Sequence, residues 1–285
     1  MPLLTGIHVT QLIAELSSRD APLLHACQFQ DLCGYIKLGG VPSRAHLQRD
    51  GIVFTPFATD EIDHTNQVWD KVFFNLSDFS YWFAQGKNSL PNPYGPITLV
   101  FNPSVLTQAT DVSITLRSAG AAGFDRVGES ISLDDFSRLF VDGTGSKRLI
   151  KFRPDLEKTF PGKTVTSPEM NCTYPNQIAS LEHLRFVLVD NYPRLADTVR
   201  QVFGQNMILK KVLERYATPG RKQAYRLLWE NIAQGCDTIQ ALRMRQGTNA
   251  ELGAWCDAVL IWDPDSFQFR RYAQYLRSGT IERMA

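Results

Sequence analysis

The sequence predicts an α+β protein, because short apolar segments of strand length dominate its first two thirds and helical patterns dominate its last third. A chain of 285 residues with 44% hydrophobic residues is long enough to bury a sizeable core. The pattern changes close to Tyr192. We therefore predict a strand-rich domain over residues 1–192 and a mainly helical C-terminal region over residues 193–285, which recognises a target or a partner.

The first elements follow from apolar spacing and from glycine. Apolar residues at helical spacing predict a helix over residues 8–18, and an apolar run predicts a strand over Leu23–Cys27. A second helix is expected over residues 28–38, where Gly39-Gly40 ends it, because glycine accepts the left-handed conformation that closes helices. A short strand is expected over residues 52–54.

The middle of the chain contains the clearest strand signals. These strands are predicted over residues 72–76, 97–101, 112–116 and 184–189. Between them, residues 119–130 are rich in glycine and small side chains, which predicts a mobile loop. A short helix is expected over residues 134–141, and residues 142–166 are polar and rich in turn formers.

Beyond Tyr192 the apolar residues recur at helical spacing. Helices are predicted over residues 195–213, 223–233, 237–244 and 267–277. Residues 254–262 are apolar and fit either a strand or a helix. From Arg194 onward the chain carries 14 Lys and Arg against 9 Asp and Glu. This excess fits contact with a polyanion such as nucleic acid, and it equally fits the solvated faces of surface helices.

Composition favours a cytoplasmic protein. No apolar run approaches the roughly 20 residues of a membrane helix, and a secretory signal pattern is absent from the N-terminal residues. The five cysteines are odd in number and irregular in spacing, without a Cys-x-x-Cys pair or histidines at metal-ligand spacing. We expect free buried thiols and no metal site.

Two separate segments offer candidate ligand-binding groups. His25 ends an apolar run, where its ring can donate a hydrogen to a ligand, although a lone histidine is more often satisfied by nearby backbone. After the second helix, Gly39-Gly40 allows close approach and Ser43-Arg44 follows directly. Arg44 can pair with a phosphate through two hydrogen bonds, and a helix cap followed by a surface arginine fits the same spacing.

Glu169 is the best single catalytic candidate. It lies in a polar stretch that we expect to be irregular, shortly before the strand over residues 184–189. A carboxylate there can orient a ribose hydroxyl, stabilise a cationic transition state or take a proton, although most glutamates are exposed surface residues. A further acidic cluster, residues 60–64, is interpreted as a solvated helix start. Asn75 can face a cleft or cap a turn.

In their order along the chain, these motifs resemble those of the DarT-type ADP-ribosyltransferases. Leu24-His25 through Gly39-Gly40-Val41-Pro42-Ser43-Arg44 is similar to the opening strand, helix and glycine pair of that family. The segments 72–75 and 97–106 resemble its next strands, and Ser167-Pro-Glu169-Met-Asn resembles the segment of its catalytic glutamate. The resemblance covers about residues 23–190.

The resemblance implies a split, mostly antiparallel sheet with flanking helices. It implies NAD as the ADP-ribose donor, without a metal, and a nucleic-acid base on single-stranded DNA or RNA as the acceptor. It also implies the setting of a toxin or phage-defence effector, with a neutralising antitoxin as a possible partner. Glu169 is then the catalytic carboxylate and His25 holds the nicotinamide-side ribose or amide. The other cofactor-binding positions are Ala26, Gly39, Gly40, Ser43, Arg44, Phe74 and Asn75.

One departure from the family concerns its catalytic arginine, which precedes the second strand. Arg44 and Arg49 are the arginines of that interval, and residues 59–69 contain none. Arg49 is therefore the candidate for this role, although its spacing does not match comfortably. Three alternatives stay open: an NAD glycohydrolase that uses water as acceptor, a transferase acting on protein, and a non-catalytic nucleic-acid-binding regulatory protein.

Overall fold

The computed structural model describes residues 3–55, 59–77, 94–95, 97–141, 150–151, 153–190 and 258–262. The strands in these residues are β1 Leu23–Cys27, β2 Gly40–Pro42, β3 Val72–Asn75, β4 Ile97–Phe101, β5 Asp111–Thr115, β6 Ser130–Ile131, β7 Glu169–Thr173, β8 Ile178–Ser180, β9 Leu184–Asp190 and β10 Ala258–Trp262. The α-helices are α1 Ile7–Ser18, α2 Phe29–Leu38, α3 Arg44–Arg49, α4 Asp60–Thr65, α5 Leu133–Phe136 and α6 Arg153–Thr159.

Eight strands form one sheet in the order β10-β9-β4-β1-β3-β7-β5-β6, and β2 pairs with β8 in a separate ribbon. All pairs are antiparallel except β9 with β10. The α+β class and the mostly antiparallel sheet that the sequence predicts are therefore confirmed. Every helix in the described residues is too short or too polar to cross a bilayer.

The centre of the sheet opens between β1 and β3. These strands pair at Leu24 and Asn75, whereas β1 pairs along its whole length with β4 on its other side. Beyond the Leu24–Asn75 pair, the side chain of His25 contacts the backbone of β3. The sheet is thereby split at its middle, and the split is where the candidate site lies.

The strands on one side of the split have an apolar and a polar face. Alternate residues such as Phe74, Met170, Cys172 and Ile114 are buried in the main hydrophobic cluster, together with the inward residues of α1. The opposite face carries Asn75, Glu169 and Thr115, which are register partners across β3, β7 and β5. Register partners place their side chains on the same face of a sheet. This polar face forms part of the cavity wall.

Several predicted elements are confirmed closely. β1 and β4 have the predicted bounds, and α1, α2, β3, β5 and β9 agree within one or two residues. The apolar segment 254–262 contains strand β10, which lies next to β9. The thiols of Cys27 and Cys172 are buried, as expected.

Other predictions are corrected. Residues 52–54 do not form a strand, and the structure adds the helices α3 and α6, which no sequence pattern indicates. Glu169 does not lie in an irregular stretch, since it is the first residue of the central strand β7. The segment 119–130 is a loop, but side-chain hydrogen bonds hold it in place.

Helices predicted over residues 195–213, 223–233, 237–244 and 267–277 lie outside the described residues. The division of the chain near residue 192 stays a prediction. Of the region beyond it, the described part is β10, which extends the main sheet beside β9.

Candidate active site

A cavity opens at the split in the sheet. It encloses about 880 Å³ of space, including its mouth, which is open to solvent. Its walls come from β1, β3, β7, the helices α2, α3 and α4, and the loop that follows β5. Five of the predicted site residues line it: His25, Ala26, Arg44, Asn75 and Glu169.

His25 replaces a backbone hydrogen bond at the split. Its Nδ1 lies 2.9 Å from the carbonyl oxygen of Phe73, and because a carbonyl can only accept, Nδ1 carries the ring hydrogen. Its Nε2 lies 3.4 Å from the hydroxyl of Tyr35 and is therefore the acceptor nitrogen. Burial lowers the pKa of His25 to about 4, so the ring is neutral at neutral pH. Toward a ligand the ring thus offers a lone pair, whereas the sequence suggested a donor.

Glu169 is 3% exposed and faces the same cavity. One carboxylate oxygen accepts a hydrogen bond of 2.7 Å from the backbone N–H of Ala119, and the hydroxyl of Ser118 also donates to it. Burial raises the pKa of Glu169 to about 8, against the effect of these two donors, and the negative charge of Asp63 adds to the rise. The carboxyl group is consequently mostly protonated at neutral pH in the free protein.

The loop that supplies Ala119 and Ser118 is anchored by a buried ion pair. Arg117 donates to both carboxylate oxygens of Glu129, at 2.7 and 2.5 Å, and its other donors reach the carbonyls of Ala122 and Gly123. At the end of α4, the amide of Asn66 donates to the carbonyl of Ala119 at 2.6 Å. The Ala119 N–H that holds Glu169 is therefore fixed from both ends of its peptide segment.

Arg44, at the start of α3, places a positive charge in the cavity wall. Its guanidinium carbon lies 4.7 Å from the centre of the Phe54 ring, a cation–π distance. The charge of Arg44 acts on His25, Asp31 and Asp63, where it opposes the rise in the pKa of both carboxyl groups. Arg44 thus lies among the acidic and imidazole groups of the wall, where it can meet an anionic part of a ligand.

Two buried polar side chains of the cavity wall, those of Asp31 and Asn75, differ in their hydrogen bonding. Asp31 accepts a hydrogen bond of 2.8 Å from the backbone N–H of Thr55, and this bond links α2 to the segment after α3. Asn75 has its side-chain oxygen buried, and no donor in the described part of the chain reaches it. A buried acceptor without a donor is costly. Because Asn75 also lines the cavity, a ligand amide or hydroxyl is a suitable donor for it.

The sequence missed Asp63, which lines the cavity from α4. Residues 60–64 do start a helix, which covers Asp60–Thr65, but the interpretation of this segment as solvated is wrong at Asp63. Burial raises the pKa of Asp63 to about 7, with a further rise from Asp60. Nothing in the local sequence shows that this helix turns one acidic face toward the split.

The glycine pair after α2 lies away from the cavity wall. Gly39 adopts the left-handed conformation, with φ 68°, and closes the helix. Gly40 pairs with Ser180 in the small ribbon, where a Cβ would overlap the side chain of Ile178 and come within 2.6 Å of the Ala179 carbonyl. The close approach that glycine permits at Gly40 is therefore to β8, and neither of the two glycines, both predicted as cofactor-binding positions, lines the cavity.

Three further predicted residues also lie outside the wall. Ser43 is the N-cap of α3, because its hydroxyl accepts a hydrogen bond of 3.1 Å from the backbone N–H of His46. Phe74 is fully buried in the core. Arg49 is exposed, pairs with Asp50 at 2.8 Å and donates to Gln177 at 3.2 Å, so it does not reach the cavity.

The strand position of Glu169 has a signal in the sequence. In Glu169-Met-Asn-Cys-Thr173, polar and apolar residues alternate, and this period of two indicates a strand with one polar face. The same period in β5 gives Ser113 and Thr115, which are buried beside Asn171 and Glu169. The amide of Asn171 donates to the hydroxyl of Thr115 at 3.3 Å, which satisfies part of this buried polar face.

The wall combines a neutral imidazole acceptor, a guanidinium, an unsatisfied amide oxygen and three carboxyl groups with raised pKa values, those of Asp31, Asp63 and Glu169. Such a set suits a ligand with phosphates, hydroxyls and an amide. Among the described residues, no group of three or more His, Cys, Asp and Glu side chains is arranged to hold a metal ion.

No protein-family model matches the sequence, and no curated protein matches it. In structure, the chain is similar to Thermus sp. 2.9 DarT in complex with ADP-ribosylated ssDNA, with 11% identity and a TM-score of 0.38 over 65% of this chain and 88% of that chain. The same protein in complex with NAD+ gives 13% identity and a TM-score of 0.33, over 65% and 89%.

Thermosipho africanus DarTG in complex with ADP-ribose is also similar, with 8% identity and a TM-score of 0.32, over 65% of this chain and 48% of that chain. These structures carry the family name that the sequence motifs indicate.

Proposed function

We propose that the chain is an NAD-dependent mono-ADP-ribosyltransferase that modifies a nucleic acid. The observation that carries the proposal is the convergence of His25 and Glu169 on one cavity, together with Arg44. These residues come from distant parts of the sequence, and the residue type of each suits this chemistry. Their meeting at the split of a mostly antiparallel sheet supports a common site.

Each of these residues suits one part of NAD. Arg44 can pair with the pyrophosphate, for which a guanidinium is well shaped. The lone pair on His25 Nε2 can accept a hydrogen bond from a ribose hydroxyl on the nicotinamide side, in place of the long 3.4 Å bond from the Tyr35 hydroxyl. The buried oxygen of Asn75 can accept from the carboxamide N–H of nicotinamide, which would satisfy an atom that has no donor in the described part of the chain.

The reaction we propose breaks the bond between the ribose C1′ and the nicotinamide nitrogen. The bonding electrons leave with nicotinamide, and positive charge develops on the ribose ring. Glu169, held by the backbone N–H of Ala119, can stabilise that charge through the ribose 2′-hydroxyl. The cationic nicotinamide ring of NAD favours the ionised form of a nearby carboxyl group, so binding itself would lower the pKa of Glu169 from about 8.

The acceptor in our proposal is a base of single-stranded DNA or RNA. The basic excess beyond Arg194 supports it, because a surplus of Lys and Arg attracts the phosphate backbone. Single-stranded DNA is also what the Thermus sp. 2.9 DarT structure holds in ADP-ribosylated form. By the resemblance in sequence, we further propose a cytoplasmic toxin or phage-defence effector that an antitoxin neutralises.

The test is to mix the protein with radiolabelled NAD and separate pools of single-stranded DNA, RNA and protein. We expect label in a nucleic-acid pool, and we expect Glu169→Gln to lower transfer on the order of 10²–10³-fold. Glu182→Gln is the matched control, because Glu182 is exposed and lies outside the cavity.

Three results would contradict the proposal. Label in the protein pool would assign a protein acceptor. Rapid nicotinamide release without any acceptor would assign an NAD glycohydrolase. Salt-dependent nucleic-acid binding, with no effect of NAD on thermal stability, would favour a non-catalytic binding protein.

A further inference from the structure

We propose that Asp63 is the general base of this site, the group that takes the proton from the acceptor as it attacks the ribose. This inference rests on the proposed function, because it assigns a residue to the transfer step. It also replaces the expected catalytic arginine of this interval with an acidic residue, since Arg49 lies outside the cavity.

The geometry places Asp63 beside the turn that holds Glu169. Ala119 donates its N–H to Glu169, and the next residue, Gly120, packs against Asp63. A Cβ on Gly120 would lie 2.7 Å from a carboxylate oxygen of Asp63. The two carboxyl groups therefore border the same two-residue segment, and both line the cavity.

The carboxylate of Asp63 is available for proton transfer. In the described part of the chain, no side-chain or backbone donor bonds to it, whereas Asp31 in the same wall accepts from Thr55. The charged groups that face Asp63 are Asp60 on its own helix, Arg44 on α3 and Glu169 on β7. Burial and Asp60 raise the pKa of Asp63 to about 7 while Arg44 lowers it. A base whose pKa lies near the working pH is the most efficient kind.

The step balances without a further reactant. As the C1′–N bond to nicotinamide breaks, the electron pair leaves with the ring and neutral nicotinamide is released. The lone pair of an acceptor N–H or O–H group forms the new bond to C1′. Its proton passes to the carboxylate of Asp63, which later releases it to solvent. Glu169 stabilises the ribose cation and Asp63 accepts the proton, so the two carboxyl groups have separate roles in the step.

The experiment compares wild type, Asp63→Asn and Glu61→Gln on radiolabelled NAD with single-stranded DNA and RNA of mixed sequence. Glu61 is the matched control, because it lies on the same helix and is exposed. We expect Asp63→Asn to lower transfer by about 10²–10⁴-fold, the usual contribution of a general base. NAD-induced thermal stabilisation should remain in this variant, and Glu61→Gln should transfer as wild type does.

The pH profile separates a base from a structural role. Wild-type transfer should rise as pH increases through about 7, where Asp63 ionises. Asp63→Asn should lose that rise, and the dependence that Glu169 causes should shift to lower pH, because the charge of Asp63 helps to raise the pKa of Glu169. A second variant, Gly120→Ala, retains the carboxyl group of Asp63 but shifts its position, because the new Cβ would lie too close to a carboxylate oxygen of Asp63. Gly120→Ala should lower transfer, and in the Asp63→Asn background it should add little.

The outcomes distinguish this inference from the proposed function. If wild type transfers label and Asp63→Asn transfers equally well with an unchanged pH profile, the role of Asp63 is wrong and the proposed function stands. If Asp63→Asn also loses NAD-induced stabilisation, Asp63 positions NAD and the base assignment is overturned. If wild type itself transfers no label to any acceptor, both proposals are overturned together.

Discussion

At Glu169, burial and hydrogen bonding act on one carboxyl group in opposite directions. The donors Ala119 and Ser118 favour the charged form, but removal from water has the larger effect and raises the pKa to about 8. His25 shows the same competition with the opposite charge, since burial lowers its pKa to about 4 although the Phe73 carbonyl favours the cation. Both groups are therefore neutral near pH 7, until a charged ligand enters.

The raised pKa of Glu169 predicts a pH-dependent stability. An unfolded glutamate titrates near pH 4.5 and the folded one near pH 8, so its contribution is fully present below pH 4.5 and is lost as pH rises to 8. Glu169→Gln cannot ionise and escapes this loss. Relative to wild type, the free energy of unfolding of Glu169→Gln should therefore increase between pH 4.5 and pH 8, by up to about 1.4 kcal/mol per pH unit.

Urea unfolding of wild type, Glu169→Gln and Glu182→Gln at about pH 5, 6.5 and 8 measures this difference. Glu182→Gln should follow wild type, because Glu182 is exposed. A constant difference between Glu169→Gln and wild type at all three pH values would mean that the carboxyl group of Glu169 is charged in the folded protein throughout.

At the scale of elements, the split between β1 and β3 makes the site possible. A continuous pairing would close the sheet there and leave no space between Ala26 and Phe73. The structure instead pairs the strands at Leu24 and Asn75 and then uses the His25 ring to satisfy the Phe73 carbonyl. The histidine thus has a structural bond on one nitrogen, and its other nitrogen, near Tyr35, is on the side of the cavity.

Replacing either of two glycines in α2 and β2 by alanine should have opposite effects on the stability of the protein. Gly40→Ala should destabilise the protein by about 1–3 kcal/mol, as overpacking usually does, because its Cβ would meet Ile178 and the Ala179 carbonyl. Gly34→Ala should stabilise it by about 0.5–1 kcal/mol, because Gly34 is inside α2 and its Cβ would have an ordinary contact of 3.7 Å with Ile52. Thermal and urea unfolding check both. Equal effects of the two variants would show that the β2–β8 contact is not close.

On the scale of the whole molecule, the charge is almost balanced, with 30 Lys and Arg against 29 Asp and Glu, but it is unevenly distributed along the chain. The part beyond Arg194 is basic and the preceding part is acidic. The cavity wall itself carries three acidic residues of α2 and α4, Asp31, Asp60 and Asp63. An acceptor polyanion would therefore gain its attraction from the C-terminal region and its chemistry from the cavity.

This division predicts that the rate of transfer to nucleic acid and the rate of nicotinamide release depend differently on salt concentration. Transfer to a nucleic-acid acceptor at subsaturating concentration should fall by about tenfold or more between about 50 and 200 mM salt, because bound counterions are released on binding. Nicotinamide release without an acceptor should change by less than about twofold, because charges within a cavity are screened less. Assays of label transfer and of nicotinamide release, run on the same samples, check this. Equal salt dependence of the two rates would contradict it.

Much of the fold follows from local patterns. The apolar runs of β1, β4 and β9 and the glycine stop of α2 are properties of a few neighbouring residues, so they are visible in the sequence. The helix α3 is not visible, because its six residues, Arg44–Arg49, are too few for a clear period and its cap, Ser43, also suits a ligand contact. The placement of Arg49 outside the cavity is partly nonlocal, since the distant residue Gln177 as well as the adjacent Asp50 pairs with it on the surface.

The sequence by itself determined the helices α1 and α2 and the strands β1, β3, β4, β5 and β9, and it singled out His25, Arg44 and Glu169 by residue type and position. Only the tertiary structure decided that these three meet, that Asp63 joins them, and that the glycine pair and Arg49 do not. The physical reason is that composition and spacing act between near neighbours in the chain. Burial, and with it the pKa values of Glu169 and Asp63, depends on which distant segments pack together.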